Sequence, residues 1–292
     1  MLISSVSLSA ILHGTLFTFG FQEAPLTAFH SGPQHSPYAM VLLPGLNEGP
    51  MALPWTTRIA DAIAQRGWST VQPTLSASFS GFGMSSLEYD TWELDMLMDH
   101  LVKLGKKHIM LVGHSTGNQQ SLHYARFGKN RAPLVGCVLQ AAMSDREWYV
   151  SAEPNHQKWI ALARSMAAKN QSEEMMPRDA YSFGPVTVRR FLSLADKNGT
   201  DDMFSSDLTL EQRKAIYAPV QVKLAMILSG NDEYRPMTVQ SELLLENART
   251  AYPRFTVLKT IPGVDHAVTP VGGQIELVNT ILSFMDTLDI PK

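Results

Sequence analysis

The sequence predicts an α/β fold, in which a mostly parallel sheet is covered by helices on both faces. Short aliphatic or β-branched runs alternate with stretches of helical periodicity, the pattern of strand–helix–strand units. The runs AMVLLPG (39–45) and HIMLVGH (108–114) are almost uninterruptedly apolar, as expected for strands covered on both faces. With 292 residues, 45% of them hydrophobic and 17% charged, the chain suits one large domain carrying an insertion.

The first half of the chain supplies the opening elements. TLFTF and LTAFH predict two strands, and STVQPTL (69–75) predicts another. WTTRIADAIAQRG (55–67) predicts a helix ended by Gly67. Ser85-Ser86-Leu87-Glu88 resembles a capping box, and it opens a helix with one buried leucine face. That face comprises Leu94, Leu97, Leu101 and Leu104.

The alternation continues with the helix GNQQSLHYARFG and the strand LVGCVLQAAM (134–143). It resumes with strands at 222–230 and 255–263 and helices at 238–250 and about 273–287. Between residues 144 and 217 the helical pieces are accompanied by no strand-like run. We therefore expect a core of residues 1–143 and 218–292, with residues 144–217 inserted as a helical lid.

Composition narrows the classes of function. The net charge of −3 favours neither nucleic acid nor an anionic membrane as a partner, and no apolar run is long enough to span a membrane. The single cysteine, Cys137, excludes an intrachain disulfide framework and a cysteine-rich zinc site, and its apolar setting predicts a buried, inert thiol. The N-terminal stretch MLISSVSLSAILHGTLFTFG has no lysine or arginine before its apolar part, so we expect a folded strand and a cytoplasmic location.

Gly113-His114-Ser115-Thr116-Gly117 is the motif on which the chemistry depends. The pattern Gly-x-Ser-x-Gly alone is weak evidence, but here it follows a buried strand and opens a helix, the setting of a nucleophile elbow. The small flanking residues permit a strained turn. The turn directs the Thr116 N–H, at the helix N-terminus, toward a developing oxyanion. Ser115 is therefore the predicted nucleophile.

A serine nucleophile needs a base and an orienting acid. In α/β-hydrolases these follow the serine in the order acid, then histidine, on loops after later strands. Asp232 follows the strand at 222–230, and His266 follows the next one, so they are the predicted acid and base. Glu233 competes for the role of acid. The second oxyanion donor is expected in PGLNEGP (44–50), from the backbone N–H of Leu46 or, as an alternative, Asn47.

Other polar residues suit ordinary structural roles. His114 is expected to pack beside the site, and Asp265 to be a solvated loop acid. Asp201 and Asp202 are expected in a solvated loop of the lid rather than around a metal. The remaining histidines lack metal-ligand spacing, and no Gly-x-Gly-x-x-Gly motif follows a strand, so neither a metal nor a cofactor is predicted.

The chain resembles the fungal fusarinine C esterase family. The residues that carry the resemblance are GWSTVQPTLSASFSGFGMSSLEYDTWELDML and GHSTG, with the later SGNDEYRP and DMFSSDLT. The resemblance implies an intracellular α/β-hydrolase with Ser115, Asp232 and His266 as its triad, which cleaves esters of fusarinine-type siderophores and so releases iron. Residues 44–49, PGLNEG, depart from the glycine-rich loop of the family.

The predicted activity is ester hydrolysis of a small molecule. A carboxylesterase or thioesterase of another fungal metabolite is the alternative, followed by a serine peptidase or a non-catalytic binding protein of the same fold. A dehalogenase or epoxide hydrolase would need aspartate at position 115. The loop 76–86, with Phe79 and Phe82, and the aromatic residues of the lid are expected either to wall the site or to form the core of the lid. The lid aromatics are Trp148, Tyr149, Trp159, Tyr181 and Phe183. Oligomeric state is not predicted.

Overall fold

Eight strands form one sheet in the computed structural model, which describes residues 10–291. Six neighbouring strands run parallel, and the first two form an antiparallel hairpin at one edge. The spatial order is β1-β2-β4-β3-β5-β6-β7-β8. The strands are β1 (Gly14–Phe21), β2 (Ala24–Ser31), β3 (Tyr38–Leu43), β4 (Ser69–Thr74), β5 (His108–His114), β6 (Leu134–Gln140), β7 (Lys223–Ser229) and β8 (Phe255–Ile261).

Helices cover both faces of this sheet, as predicted. Residues 10–291 contain α1 (Thr56–Ala64), α2 (Leu87–Lys103), α3 (Thr116–Phe127), α4 (Asp145–Ala152), α5 (His156–Ala167), α6 (Val188–Ala195), α7 (Leu210–Tyr217), α8 (Ser241–Ala251) and α9 (Val271–Met285). No helix in this described part is long and apolar enough to cross a membrane. Residues 1–9 of the N-terminal stretch lie outside the described residues.

The core lies in two layers because the inner strands are apolar on both sides. Helices α1 and α9 pack on one face, for example through Ile59 and Phe284 against Met40 and Val112. Helices α2, α3 and α8 cover the other face, where Leu97 and Leu122 meet Leu111. This arrangement buries both sides of β3 and β5, which is the physical reason for their continuous hydrophobic runs.

The inserted segment, residues 144–217, leaves the sheet after β6 and returns to it at β7. Its first part has an apolar cluster of its own, with Tyr149, Tyr181 and Phe191 at the centre. Its last part, including Met203 and Tyr217, packs into the main core. The assignment of residues 144–217 as one separate lid remains a prediction, since the part from Met203 onward shares the core of the sheet.

Four local expectations were wrong in detail. The cap of α2 is Ser86, whose Oγ accepts the Tyr89 N–H, while the Ser85 hydroxyl donates to Asp90; no capping box forms there. Leu104 follows the end of α2 and is 47% exposed. Strand β6 ends at Gln140, because Ala141 adopts a positive φ of 52°.

The fourth correction concerns Asp201 and Asp202, which are buried rather than solvated. Asp201 accepts hydrogen bonds from Arg190 and Ser193, and Asp202 accepts one from Arg146. Each carboxylate compensates a partly or fully buried guanidinium inside the inserted segment. Sequence reasoning missed this because the cationic partners lie 11 and 56 residues away along the chain.

Candidate active site

Ser115 is the single residue between the end of β5 and the start of α3. Its φ of 52° and ψ of −123° are unfavourable for a residue with a side chain. Hydrogen bonds hold this conformation: the Ser115 N–H donates to the Gln140 carbonyl, and the Asn118 N–H donates to the Ser115 carbonyl. The turn leaves Ser115 lining a cleft, half-buried, while its neighbours are buried.

The glycines of the elbow are required by close approach of backbones. A Cβ at Gly113 would lie 2.3 Å from the Gly117 carbonyl oxygen, and a Cβ at Gly117 would lie 2.2 Å from the Leu43 carbonyl oxygen. Neither distance is possible for a real side chain. The two glycines therefore allow α3 to start directly against β3 and β5.

His266 and Asp232, the predicted base and orienting acid, contact each other across two neighbouring loops. Both carboxylate oxygens of Asp232 lie 2.9 Å from His266 Nδ1, and both residues are buried. Glu233 instead accepts the backbone N–H of His266, at 2.8 Å. Asp232 thus contacts the imidazole ring, whereas its competitor Glu233 holds the loop that carries the ring.

The two predicted oxyanion donors flank Ser115. Within residues 10–291 neither the Thr116 N–H nor the Leu46 N–H donates a hydrogen bond. The Leu46 loop approaches the serine closely, since a Cβ at Gly45 would lie 3.0 Å from Ser115 Cβ. Two unpaired N–H groups near the nucleophile are the arrangement expected of an oxyanion hole. Assignment of Leu46 and Thr116 to that role remains a prediction.

A buried network of polar side chains packs against His266. The His114 ring lies 4.7 Å from the His266 ring, and its Nδ1 is 2.5 Å from the side-chain oxygen of Gln140. The Gln140 amide lies within reach of Ser229 Oγ and of the His266 carbonyl. Burial lowers the pKa of His114 to about 3, with a further contribution from His266, so its ring is neutral. His114 therefore packs beside the site, as expected, without adding charge.

The cleft beside Ser115 has a volume of about 440 Å³, counting the space at its mouth. Ser115, His266, His114 and Gly45 are among its lining residues. The remaining lining residues are Leu46, Glu48, Met143, Asp145, Trp148, Phe183 and Tyr234.

Of the expected aromatic wall, Trp148 and Phe183 line the cleft. Tyr149 and Tyr181 are buried within the cluster of the inserted segment, and Trp159 packs against that cluster. The loop 76–86 contributes no lining residue: Phe82 is buried in the same cluster, and Phe79 is 54% exposed with its ring against Gly49. Its expected role as a wall of the site is therefore not observed.

Three polar residues of the cleft were missed by sequence reasoning. Tyr234 lies two residues after Asp232, and its ring meets that of His266 at 4.8 Å. Glu48 lies in the Leu46 loop, and Asp145 opens α4 directly after β6. All three follow carboxyl ends of parallel strands, where ligands bind in open α/β sheets. That rule was the available signal for them.

Comparison with known proteins assigns the chain to a family. Residues 7–286 match the family model described as protein of unknown function (DUF1749). The chain belongs to this family. Fusarinine C esterase sidJ of Aspergillus fumigatus is 28% identical over 320 residues, covering 86% of this chain and 90% of that protein. A UPF0613 protein of Schizosaccharomyces pombe is 26% identical over 278 residues, covering 85% of this chain and 88% of that protein.

Among solved structures, siderophore hydrolase EstB from Aspergillus fumigatus has a TM-score of 0.76 and 26% identity. The match covers 96% of this chain and 98% of that chain. These similarities confirm three predictions for this DUF1749 chain: the α/β-hydrolase fold, the resemblance to fungal siderophore esterases, and the enzyme class, an ester hydrolase.

Proposed function

We propose that this DUF1749 chain hydrolyses ester bonds through a Ser115 acyl-enzyme, with His266 as the base and Asp232 as the orienting acid. One observation carries the proposal: Ser115, in its strained turn, and His266 line the same cleft, and Asp232 contacts the His266 ring. A structural serine between two glycines would need neither the positive φ nor a neighbouring histidine held by a carboxylate.

In this mechanism the imidazole accepts the Ser115 proton as Oγ attacks the ester carbonyl. The N–H groups of Leu46 and Thr116 stabilise the resulting oxyanion. The imidazolium then protonates the departing alcohol, and the acyl group stays on Ser115. A water molecule, deprotonated by His266, attacks this acyl-enzyme and releases the acid with regeneration of the serine hydroxyl. Asp232 fixes the tautomer and stabilises the imidazolium throughout.

We infer that the substrates are hydroxamate siderophores of the fusarinine C or triacetylfusarinine C type, and that hydrolysis releases iron in the cytoplasm. The named activities of the Aspergillus fumigatus relatives support this substrate class. A lid role for residues 144–217 belongs to the same proposal. It is supported by Trp148 and Phe183, which bring the inserted segment into the wall of the cleft.

The test is hydrolysis of ferric fusarinine C and ferric triacetylfusarinine C by the wild type and by Ser115→Ala, with mass spectrometry of the products. We expect monomeric acids from the wild type alone. Cleavage of a simple nitrophenyl ester without cleavage of either siderophore would favour esterase or thioesterase activity on another metabolite. If Ser115 also failed to react with a serine-directed phosphonate, a non-catalytic binding protein would be favoured instead.

A further inference from the structure

Two carboxyl side chains line the cleft beside Ser115 without any role in the proposed triad. Asp145 is only 8% exposed, and Gln119 donates to its Oδ2 at 2.6 Å. Glu48 accepts the Gly45 N–H on Oε2, also at 2.6 Å. Within residues 10–291 no other residue donates a hydrogen bond to Asp145 Oδ1 or Glu48 Oε1, although the backbone N–H of Asp145 acts on its own carboxyl. Each carboxyl therefore keeps acceptor capacity for a ligand in the cleft.

No cationic side chain balances these acids inside the cleft. Among the lining residues in the described part there is neither lysine nor arginine. Arg190 acts on Asp145 electrostatically, but it is committed to Asp201 at 2.6 Å and does not line the cleft. His266 is the remaining basic group near both acids, and it is held by Asp232.

Burial penalises the charged form of both acids. It raises the pKa of Glu48, although the Gly45 N–H and His266 act against the shift. It raises the pKa of Asp145 to about 7; Asp201 adds to the shift, and Arg190 and His266 oppose it. A cation entering the cleft would restore favourable ionisation of both groups. An anionic ligand would be repelled by them.

Aromatic side chains also line the cleft. Trp148 and Phe183 lie with ring centroids 4.9 Å apart, and Tyr234 lies 6.0 Å from each. Aromatic faces attract cations through their quadrupole, most strongly where water is excluded. Acidic side chains and aromatic rings in one cleft are complementary to a positively charged nitrogen.

We propose that Asp145 and Glu48 select esters carrying a positively charged nitrogen, which binds against these acids and the aromatic rings of the cleft. This inference rests on the proposed ester hydrolysis at Ser115 and specifies the chemistry of its substrate. The competing explanation is that both acids are only structural, Asp145 as an anchor for Gln119 and Glu48 as an anchor for the Gly45 turn.

The experiment compares esters that differ only in charge. One pair has the charge in the acyl part: the nitrophenyl ester of trimethylammoniobutyrate and its analogue with carbon in place of nitrogen. The other pair has the charge in the alcohol part: butyrylcholine and dimethylbutyl butyrate. We expect the wild type to prefer the cationic member of at least one pair by about tenfold or more in kcat/KM, the scale of one charge-assisted contact.

Asp145→Asn and Glu48→Gln remove the charge while leaving an oxygen that can accept from Gln119 or Gly45. Each should abolish most of this preference, measured within each variant as the ratio of kcat/KM for the cationic ester to kcat/KM for the neutral ester. Asp179→Asn is the matched control, because Asp179 is exposed on the same inserted segment and outside the cleft. It should keep the wild-type preference. If one variant does not fold, the other decides.

Equal rates for both members of both pairs would overturn the inference, as would a preference that survives both substitutions. If both substitutions lowered kcat/KM equally for the charged and the neutral ester, the role of Asp145 and Glu48 would be structural alone. Failure of the wild type to hydrolyse even the neutral nitrophenyl ester would instead contradict the proposed function itself.

Discussion

At the scale of single residues, Asp232 and Glu233 hold different parts of the same histidine. The two acids are adjacent in sequence, yet one contacts the imidazole Nδ1 and the other the backbone N–H of His266. An imidazole needs an acceptor at Nδ1 to present its other nitrogen as a base. A backbone N–H needs only an oxygen, charged or neutral. The two positions should therefore respond differently to the same chemical change.

Asp232→Asn is expected to lower kcat by about 10⁴-fold, the loss seen when a triad histidine is held in the wrong tautomer. Glu233→Gln should stay close to wild type, since an amide oxygen still accepts the His266 N–H. Steady-state kinetics with nitrophenyl butyrate measure both effects, and circular dichroism checks the fold. The opposite ranking of the two variants would make Glu233 the orienting acid.

At the scale of secondary-structure elements, the elbow depends on the contact of α3 with the end of β3. The space at Gly117 is bounded by the backbone carbonyls of Leu43 and Pro44, which cannot rotate away as a side chain could. An added methyl group must displace the helix N-terminus. This displacement would move the Thr116 N–H relative to the serine.

Gly117→Ala is therefore expected to reduce kcat about 100-fold, the loss typical of one oxyanion donor. It should also lower the free energy of unfolding by about 1–3 kcal/mol through overpacking. Gly272→Ala is the control, because Gly272 lies in α9 with no atom within 4 Å of an added Cβ. The free energy of unfolding of that variant should increase by up to about 1 kcal/mol. Urea unfolding and kinetics on both variants test the contrast, and full activity of Gly117→Ala would contradict it.

The inserted segment is held by a different kind of contact, a buried ion pair. Arg190 and Asp201 are both buried, and the guanidinium also donates to the Phe82 carbonyl. Removal of one partner leaves an uncompensated buried charge. We expect Asp201→Ala to cost about 3–5 kcal/mol of unfolding free energy. Glu173→Ala, which breaks the exposed pair with Arg189, should cost at most about 1 kcal/mol.

Urea unfolding of the two variants makes this comparison within one segment. Similar small losses for both would mean that Arg190 finds another partner, and the ion pair would then not be what holds α6 in place.

At the scale of the whole molecule, two buried histidines link stability to pH. Burial lowers the pKa of His30 to about 4, with added repulsion from Lys106 and His35, and lowers that of His114 to about 3. Their ordinary value is 6.5. Below pH 6.5 the unfolded chain therefore binds protons that the folded chain does not. The contribution of these two groups to the unfolding free energy falls as the pH decreases toward about 4.

His30→Leu should remove part of this pH dependence. The unfolding free energy of the variant should therefore rise relative to that of the wild type as the pH falls from 6.5 to about 4. The quantity to measure is the difference in unfolding free energy between variant and wild type. Buried carboxyls such as Asp90 and Glu93 have raised pKa values and change stability in the opposite sense. A difference independent of pH would contradict a neutral buried His30. Measurement at pH 8, where the imidazole is neutral in both states, is the internal reference.

The sequence by itself determined the order of strands and helices, the elbow at Ser115 and the positions of Asp232 and His266 at strand ends. It could do so because hydrophobic periodicity and turn chemistry act over a few residues. Its larger errors lie where distant segments meet. The burial of Asp201 and Asp202 and the packing of Phe82 into the cluster of the inserted segment depend on partners elsewhere in the chain. The shift of the α2 cap by one residue is a local error, because the partners of Ser85 and Ser86 lie within five residues.

Only the tertiary structure decided which acid contacts the imidazole and which residues line the cleft. The choice between Asp232 and Glu233 is set by how two loops, 34 residues apart, approach each other. Glu48 and Asp145 join the cleft because parallel strands bring their following loops to one edge. Local pattern carries no information on these approaches, since they are fixed by packing of the whole sheet and by burial.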